Sequence, residues 1–338
     1  MMAAYRDLSL NQLKSYLEEK KQTLILFHRK PDPDCIGSAV ALGQVLSELG
    51  MQVLLCGEDP IPKRLLFLNE GSKIPAVIWE EMEGKEIPER IISVDVASTS
   101  QLGSVWEGLC KAGRSVDLMI DHHGRGERFS DGYVDAGAAA TAEILFDVFD
   151  LWVKEGKLRS IPLIAAKALY AGLAGDTGGF RFSNTTPQTM VRGAELLRYP
   201  IGHDEICRKI FECKTKAQMT AEVEAANAIE YYCGGKFAVS RLSLSRKREL
   251  GLTDEDLGTM IDVIRAVEGV RVAMVVREEE GSRYRVSMRS TDTVDVSLIC
   301  SEFGGGGHAR AAGFTAELDD FDIAFEKIKK EIEDRLQC

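Results

Sequence analysis

Strand-like apolar runs alternate with helical patterns through the first half of the chain, and this alternation restricts the fold more than any other feature. The runs are LILFH (24–28), QVLLC (52–56), RIISVD (90–95) and DLMIDHH (117–123). Between them lie helical patterns such as IGSAVALGQVLSELG (36–50), which Gly50 closes as a C-terminal cap. Parallel strands need a crossover, and the crossover helix must bury its apolar stripe on the sheet. The expected class is therefore α/β, with a mainly parallel sheet covered by helices on both faces. Ligands of such sheets sit beyond the carboxyl ends of the strands.

Helical patterns continue through TAEILFDVFDLWVKE (141–155), IPLIAAKALYAGLAG (161–175) and PQTMVRGAELLRY (187–199). A long helical stretch over roughly 203–232 reads as a connector. From Lys236 the pattern changes: FAVSRLS, VRVAMVVRE and RYRVSMRS read as strands, DEDLGTMIDVIRAV and VDVSLICSEF as helices, GGGGH as a loop, and the segment after Asp319 as a final helix. This predicts a first domain over 1–200, a helical connector over 201–235, and a smaller α/β domain with a mixed sheet over 236–338.

The net charge of −11 and the lack of a long basic run argue against a grip on long nucleic acid, which rests largely on neutralising phosphates. A short substrate fits better. No apolar run is long enough to span a bilayer, and the N-terminal MMAAYRDLSLNQLKSYLEEKK reads as an amphipathic helix without a signal-peptide core. The expected location is the cytoplasm, with no membrane partner. Eight cysteines occur without a CxxC pair and read as reduced, buried thiols.

Histidine carries the most chemical information. There are five, and His28, His122 and His123 fall at predicted strand ends beside aspartates. His28 opens HRKPDPDCIGS, in which the prolines are expected to keep the turn extended and delay the next helix. His28, Asp32 and Asp34 then point into the crevice at the sheet edge, and Gly37 permits close backbone approach. Imidazole with carboxylates suits Mn²⁺, Fe²⁺ or Zn²⁺ more than Ca²⁺. A solvated turn with an aspartate helix cap is the alternative. Asp95 closes RIISVD, and Asp121-His122-His123 closes DLMI. In Gly175-Asp176-Thr177-Gly178-Gly179-Phe180-Arg181, Asp176 can ligate and Arg181 can hold a phosphate oxygen; a plain glycine-rich turn is the alternative. In the second domain, Gly304-Gly305-Gly306-Gly307-His308-Ala309-Arg310 offers free N–H groups for an anion nest, with His308 and Arg310 as further donors. Arg289 ends a nearby strand, where a surface salt bridge is the alternative.

The ordered set His28-x₃-Asp32-x-Asp34-x₂-Gly37-Ser38, Asp95, Asp121-His122-His123 and Asp176 resembles the DHH phosphoesterase superfamily, and GGGGH…AAG resembles its DHHA1 domain. The two-domain form is similar to the nanoRNase/pAp phosphatase group. The resemblance implies two divalent metal ions, manganese first and magnesium or cobalt as alternatives. It implies Asp95 as the bridging carboxylate, His28 and Asp32 completing one site, and Asp34, His122 and Asp176 the other. His123 would lie near the scissile phosphate. Arg181, Arg289, Gly305, Gly306, Gly307, His308 and Arg310 would contact substrate, clamped across an interdomain cleft. Gly175 departs from the more polar residue expected before Asp176. The implied activity is hydrolysis of short oligoribonucleotides, of 3′-phosphoadenosine 5′-phosphate, or of linear or cyclic dinucleotides, and dimers are common in the family. A pyrophosphatase or exopolyphosphatase, a single-strand exonuclease and a non-catalytic nucleotide sensor are the rivals.

Overall fold

The computed structural model describes residues 5–124, 126–291, 294–317 and 321–338. They form two compact units that divide between Cys213 and Lys214.

In the first unit, six strands form one parallel sheet: β1 (Thr23–Leu26), β2 (Val53–Gly57), β3 (Ala76–Ile78), β4 (Arg90–Val94), β5 (Leu118–Asp121) and β6 (Gly132–Val134). Their order is β3-β2-β1-β4-β5-β6, so the winding reverses beside β1. β3 and β6 were not expected; three residues are too few to display a strand period. The side-chain alternation of β1 feeds two cores. Ile25 and Phe27 pack with helices α2 (Pro33–Glu48), α4 (Thr141–Lys154) and α5 (Leu163–Asp176), while Leu24 and Leu26 pack with α3 (Ser104–Lys111). Helix α1 (Leu10–Glu18) buries Leu13 and Leu17 in the first of these, and α6 (Pro187–Leu196) buries Leu196 there. The sheet is thus covered on both faces, as expected.

Helix α2 starts at Pro33, earlier than expected. Asp32 caps it by accepting a hydrogen bond from Cys35 N at 2.9 Å, and proline needs no donor at the first helical position. The prolines therefore start the helix instead of delaying it. Two glycines let α2 lie against α5. A Cβ on Gly37 would stand 2.4 Å from Ala168 O, and one on Gly172 would stand 2.6 Å from Asp34 Oδ1. A Cβ on Gly175 would meet Pro33 Cβ at 2.7 Å, which accounts for glycine where a polar residue was expected.

The second unit holds α8 (Lys216–Asn227), β7 (Ile229–Tyr232), β8 (Phe237–Leu242), α9 (Leu244–Glu249), α10 (Met260–Arg265), β9 (Val272–Glu279), β10 (Arg283–Ser290), α11 (Val296–Ser301), β11 (Gly306–His308), β12 (Ala311–Glu317) and α12 (Phe321–Leu336). Its sheet runs β11-β12-β10-β9-β8-β7, with β8–β9 parallel and the other pairs antiparallel, the mixed sheet expected. α8 and α10 pack on one face, α11 and α12 on the other.

Three expectations change here. The stretch 203–232 is not one helix: α7 (His203–Cys207) runs into a π-turn, α8 restarts after the Thr215 cap, and 229–232 is strand. Thr215 competes for backbone donors, which the Ala- and Lys-rich composition conceals. The GGGGH segment is not a loop throughout, since Gly306–His308 pairs with β12. A Cβ on Gly305 would stand 2.3 Å from Gly313 O, whereas Gly306 faces open space. Finally, Cys233 and Cys338 form a disulfide across 105 residues, and Cys110 and Cys213 are exposed, so the cysteines are not uniformly reduced, buried thiols. Partners so far apart leave no spacing signal. No helix among the described residues is long and apolar enough to cross a membrane.

Candidate metal centre

The site is assembled at the carboxyl ends of β1, β4 and β5, where the sheet reverses its winding. His28 lies just past β1. Its Nδ1 lies 2.8 Å from Arg29 O, a bond it must donate, which leaves the Nε2 lone pair for a ligand. Nε2 stands 3.8 Å from both Asp32 Oδ2 and Asp95 Oδ2. Asp32 Oδ1 caps α2 while its Oδ2 faces the histidine.

Asp95 follows β4 with φ 58°, a left-handed conformation that aspartate tolerates better than most residues, and its N–H donates to Ile120 O on β5. This turn points the side chain across the sheet edge. Asp95 Oδ1 lies 3.5 Å from His122 Nε2 and 3.8 Å from His123 Nδ1. His122 Nε2 is also 3.1 Å from Asp176 Oδ2, at the end of α5. Asp34, in the first turn of α2, completes the group. Donor sets His28/Cys35/Asp95, Asp95/His122/His123 and Asp34/His122/Asp176 each lie within 4.8 Å of one another.

Thr141 and the amide of Ala142 escaped the sequence reading, Cys35 was read only as a buried thiol, and Asp121 was read without its orienting role. Thr141 Oγ1 donates to Asp95 Oδ1 at 3.0 Å, and the amides of Thr141 and Ala142 donate to Asp34 at 2.7 and 3.0 Å. The start of α4 thus holds two carboxylates with donors that the helix itself cannot use. The polar Thr141 in the run AAATAE was the available signal. Asp121 Oδ1 accepts from His123 Nδ1 at 2.7 Å and from His122 N at 2.9 Å, so it orients the histidine pair. Cys35 Sγ lies 3.2 Å from His28 N. Thr141→Val keeps the shape and removes one donor. It should lower metal affinity ten- to hundredfold while leaving the chelated protein's melting temperature nearly unchanged, as a metal titration followed by thermal melting will show.

The electrostatics favour a bound cation. Burial, reinforced by Asp176, pushes Asp34 up to about 7. Burial and then Asp34, Asp32 and Asp176 push Asp95 well above the carboxylate range. His122 is raised to about 9: burial alone would lower it, but Asp176, Asp34 and Asp121 outweigh burial. Asp121 is held low against its burial, chiefly by the hydrogen bond from His123. Converging buried carboxylates oppose one another unless positive charge lies between them. Borderline imidazole and hard carboxylate donors together suit a first-row divalent ion. The donor set fits the ions expected from the sequence.

The substrate candidates are divided between the two units. Arg181 is exposed, with Nε donating to Gly178 O at 2.5 Å and its guanidinium over the Phe211 ring. It is not among the converging groups. In the second unit, Arg289 Nη1 donates to Met288 O at 3.0 Å and burial lowers its pKa; Arg310 is exposed. His308 ends β11, and its side chain lies outside the described residues.

An imidazole–carboxylate pocket at a parallel-sheet switch point, joined in one chain to a mixed-sheet domain with a glycine-rich edge strand, defines a recognisable class. Residues 22–173 match the DHH family, N-terminal domain, and residues 234–336 match the DHHA1 domain; the chain belongs to the DHH–DHHA1 family. The chain is 29% identical over 322 residues to the bifunctional oligoribonuclease and PAP phosphatase NrnA of Thermus thermophilus, covering 92% of this chain and 89% of that one. It is 26% identical over 296 residues to the protein of the same name from Bacillus subtilis, covering 86% and 88%. Its fold matches the crystal structure of an exopolyphosphatase-related protein from Bacteroides fragilis with TM-score 0.85 at 20% identity, covering 97% of each chain.

Proposed function

We propose that this chain is a metal-dependent phosphoesterase of short nucleotides, acting on oligoribonucleotides of a few residues and on 3′-phosphoadenosine 5′-phosphate. The observation that carries the reading is the convergence of His28, Asp34, Asp95, His122 and Asp176 from separate elements on one buried spot. The relatives' names supply the substrate class. In this reading His28, Asp32 and Asp95 would hold one ion, and Asp34, Asp95, His122 and Asp176 would hold a second. Two divalent ions, which we take to be manganese, supply Lewis-acid charge stabilisation and a water of lowered pKa. Asp121 keeps the His123 ring aligned, so that His123 can hold or move a proton near the leaving oxygen. Thr141 and the α4 amides keep Asp95 and Asp34 in place when charge in the site changes. Arg289, Arg310, His308 and the Gly305–Gly307 backbone serve as nucleotide contacts, and Arg181 as a phosphate contact.

The test is a metal-dependent panel on pAp, pApA, longer RNA, cyclic dinucleotides and pyrophosphate. Turnover on pAp and pApA should exceed that on pyrophosphate and fall with RNA length. Turnover dominated by pyrophosphate, or undiminished on long RNA, would overturn the substrate assignment.

A further inference from the structure

The second unit carries a pair of arginines with no ion-pair partner among the described residues, although Asp254 and Glu279 offset part of the Arg277 charge. Alternation along β9 places Arg277 on the sheet face of Ala273 and Val275, and alternation along β10 places Arg285, Ser287 and Arg289 on that same face. Arg277 and Arg285 stand opposite each other in register. Arg277 is only 8% exposed. Its Nη2 donates to Ser287 Oγ at 3.2 Å, and its Nε, also buried, has no hydrogen-bond partner. The acids nearby are engaged elsewhere. Asp254 pairs with Lys247, Glu279 lies 3.6 Å from Arg283, and Glu278 accepts from Leu244 N. Neither Arg277 nor Arg285 has an ion-pair partner among the described residues. Across β12, Ser287 faces Gly313, which puts no side chain over it.

Packing alone does not account for this arrangement. A buried guanidinium whose Nε has no partner is costly, and a second positive charge opposite it adds to that cost. Burial, and then the Arg285 charge, pushes Arg277 down to about 10. An apolar side chain of similar volume would relieve both penalties, so the pair is explained if an external anion completes it. A forked guanidinium presenting parallel donors matches a phosphate best.

We propose that Arg277, Arg285 and Ser287 form a phosphate subsite that holds the additional phosphate of a substrate longer than two nucleotides. It is separate from Arg289, which stands four residues from Arg285 on the same strand, roughly 13 Å away at about 3.3 Å per residue. The identity of the ligand rests on the phosphoesterase reading above. The subsite makes the chain distinguish a trinucleotide from pAp by the extra phosphate.

The test compares wild type, Arg285→Ala and Arg277→Met in the full chain. With metal present, both variants should raise KM for pApApA about tenfold, the loss expected for a charge-assisted contact, and leave KM for pAp within about twofold. In chelator, calorimetric binding of pApApA should weaken by the same factor. The melting temperature of Arg277→Met should hold or rise, because a buried charge without an ion-pair partner is removed; a role in folding alone predicts a fall and no change in binding. Unchanged pApApA binding in both variants overturns the subsite. An arginine dependence seen for inorganic phosphate but not for pApApA overturns its assignment to substrate. Wild-type protein that hydrolyses neither nucleotide sinks the phosphoesterase reading instead, and the binding comparison in chelator still judges the arginine pair.

Discussion

Asp95→Asn lowers kcat on pAp and pApA by about a thousandfold, and in chelator it raises the melting temperature. These opposite effects follow from one geometry. Asp95 is buried, faces both His28 and His122, and is pushed up by burial and by Asp34, Asp32 and Asp176. Asparagine tolerates the left-handed backbone at φ 58° and still accepts from Thr141 Oγ1, so the exchange removes the titratable carboxyl without adding strain. Without metal the buried carboxyl must either stay charged or hold a proton, both at a cost, and its removal should stabilise the first unit by about 1–3 kcal/mol, or about 2–4 °C per kcal/mol. In the proposed reading it is the carboxylate that both metal positions share. Steady-state kinetics in Mn²⁺ and melting curves in EDTA check the two arms. A variant that turns over at wild-type rate removes Asp95 from the centre of the mechanism.

Stripping the metal lowers the melting temperature, and the loss grows as pH rises from 6 to 8. If free metal stands at about a thousand times its dissociation constant, it contributes about 4 kcal/mol, worth roughly 10 °C for a unit of this size. The pH dependence follows from the direction of the shifts. Asp34 is raised to about 7, so the metal-free fold holds a proton that the unfolded chain has released. That contribution is fully present below the unfolded carboxyl range and is lost as pH rises to about 7. His122 is raised to about 9, so its contribution is present below the ordinary imidazole value and is lost between there and about 9. Both terms weaken the metal-free protein as pH rises. Metal binding runs the other way, because it displaces the same protons and so tightens with pH. The gap between loaded and chelated melting curves should therefore be wider at pH 8 than at pH 6. A gap that narrows over this range would falsify the placement of the ion among Asp34, Asp95 and His122.

Strand ends were readable in this chain because the chemistry sits on them. A parallel strand buried on both faces is a short apolar run, and the first polar residues after it must leave the sheet at its carboxyl edge. His28, Asp95 and Asp121-His122-His123 each follow such a run, so periodicity alone put them on one edge. Asp32 was harder, since helix cap and ligand are two uses of one carboxylate; the structure gives one oxygen to the cap and turns the other toward His28. The prolines misled because Pro33 can end an extended turn or begin a helix, and Asp32 as a cap decides for the helix.

The periods and residue types along the chain dictated an α/β sheet, a second mixed sheet, and aspartates and histidines gathered at one edge, because those follow from local propensity and from burial one element at a time. What had to wait for the packed molecule were relations between distant segments. Thr141 became a support for Asp95 when the start of α4 met the end of β4, the glycines at 37 and 172 let α5 bring Asp176 to His122, Cys233 found Cys338, and Arg277 came to face Arg285. No spacing encodes such meetings, since each depends on how two surfaces separated by tens of residues fit together.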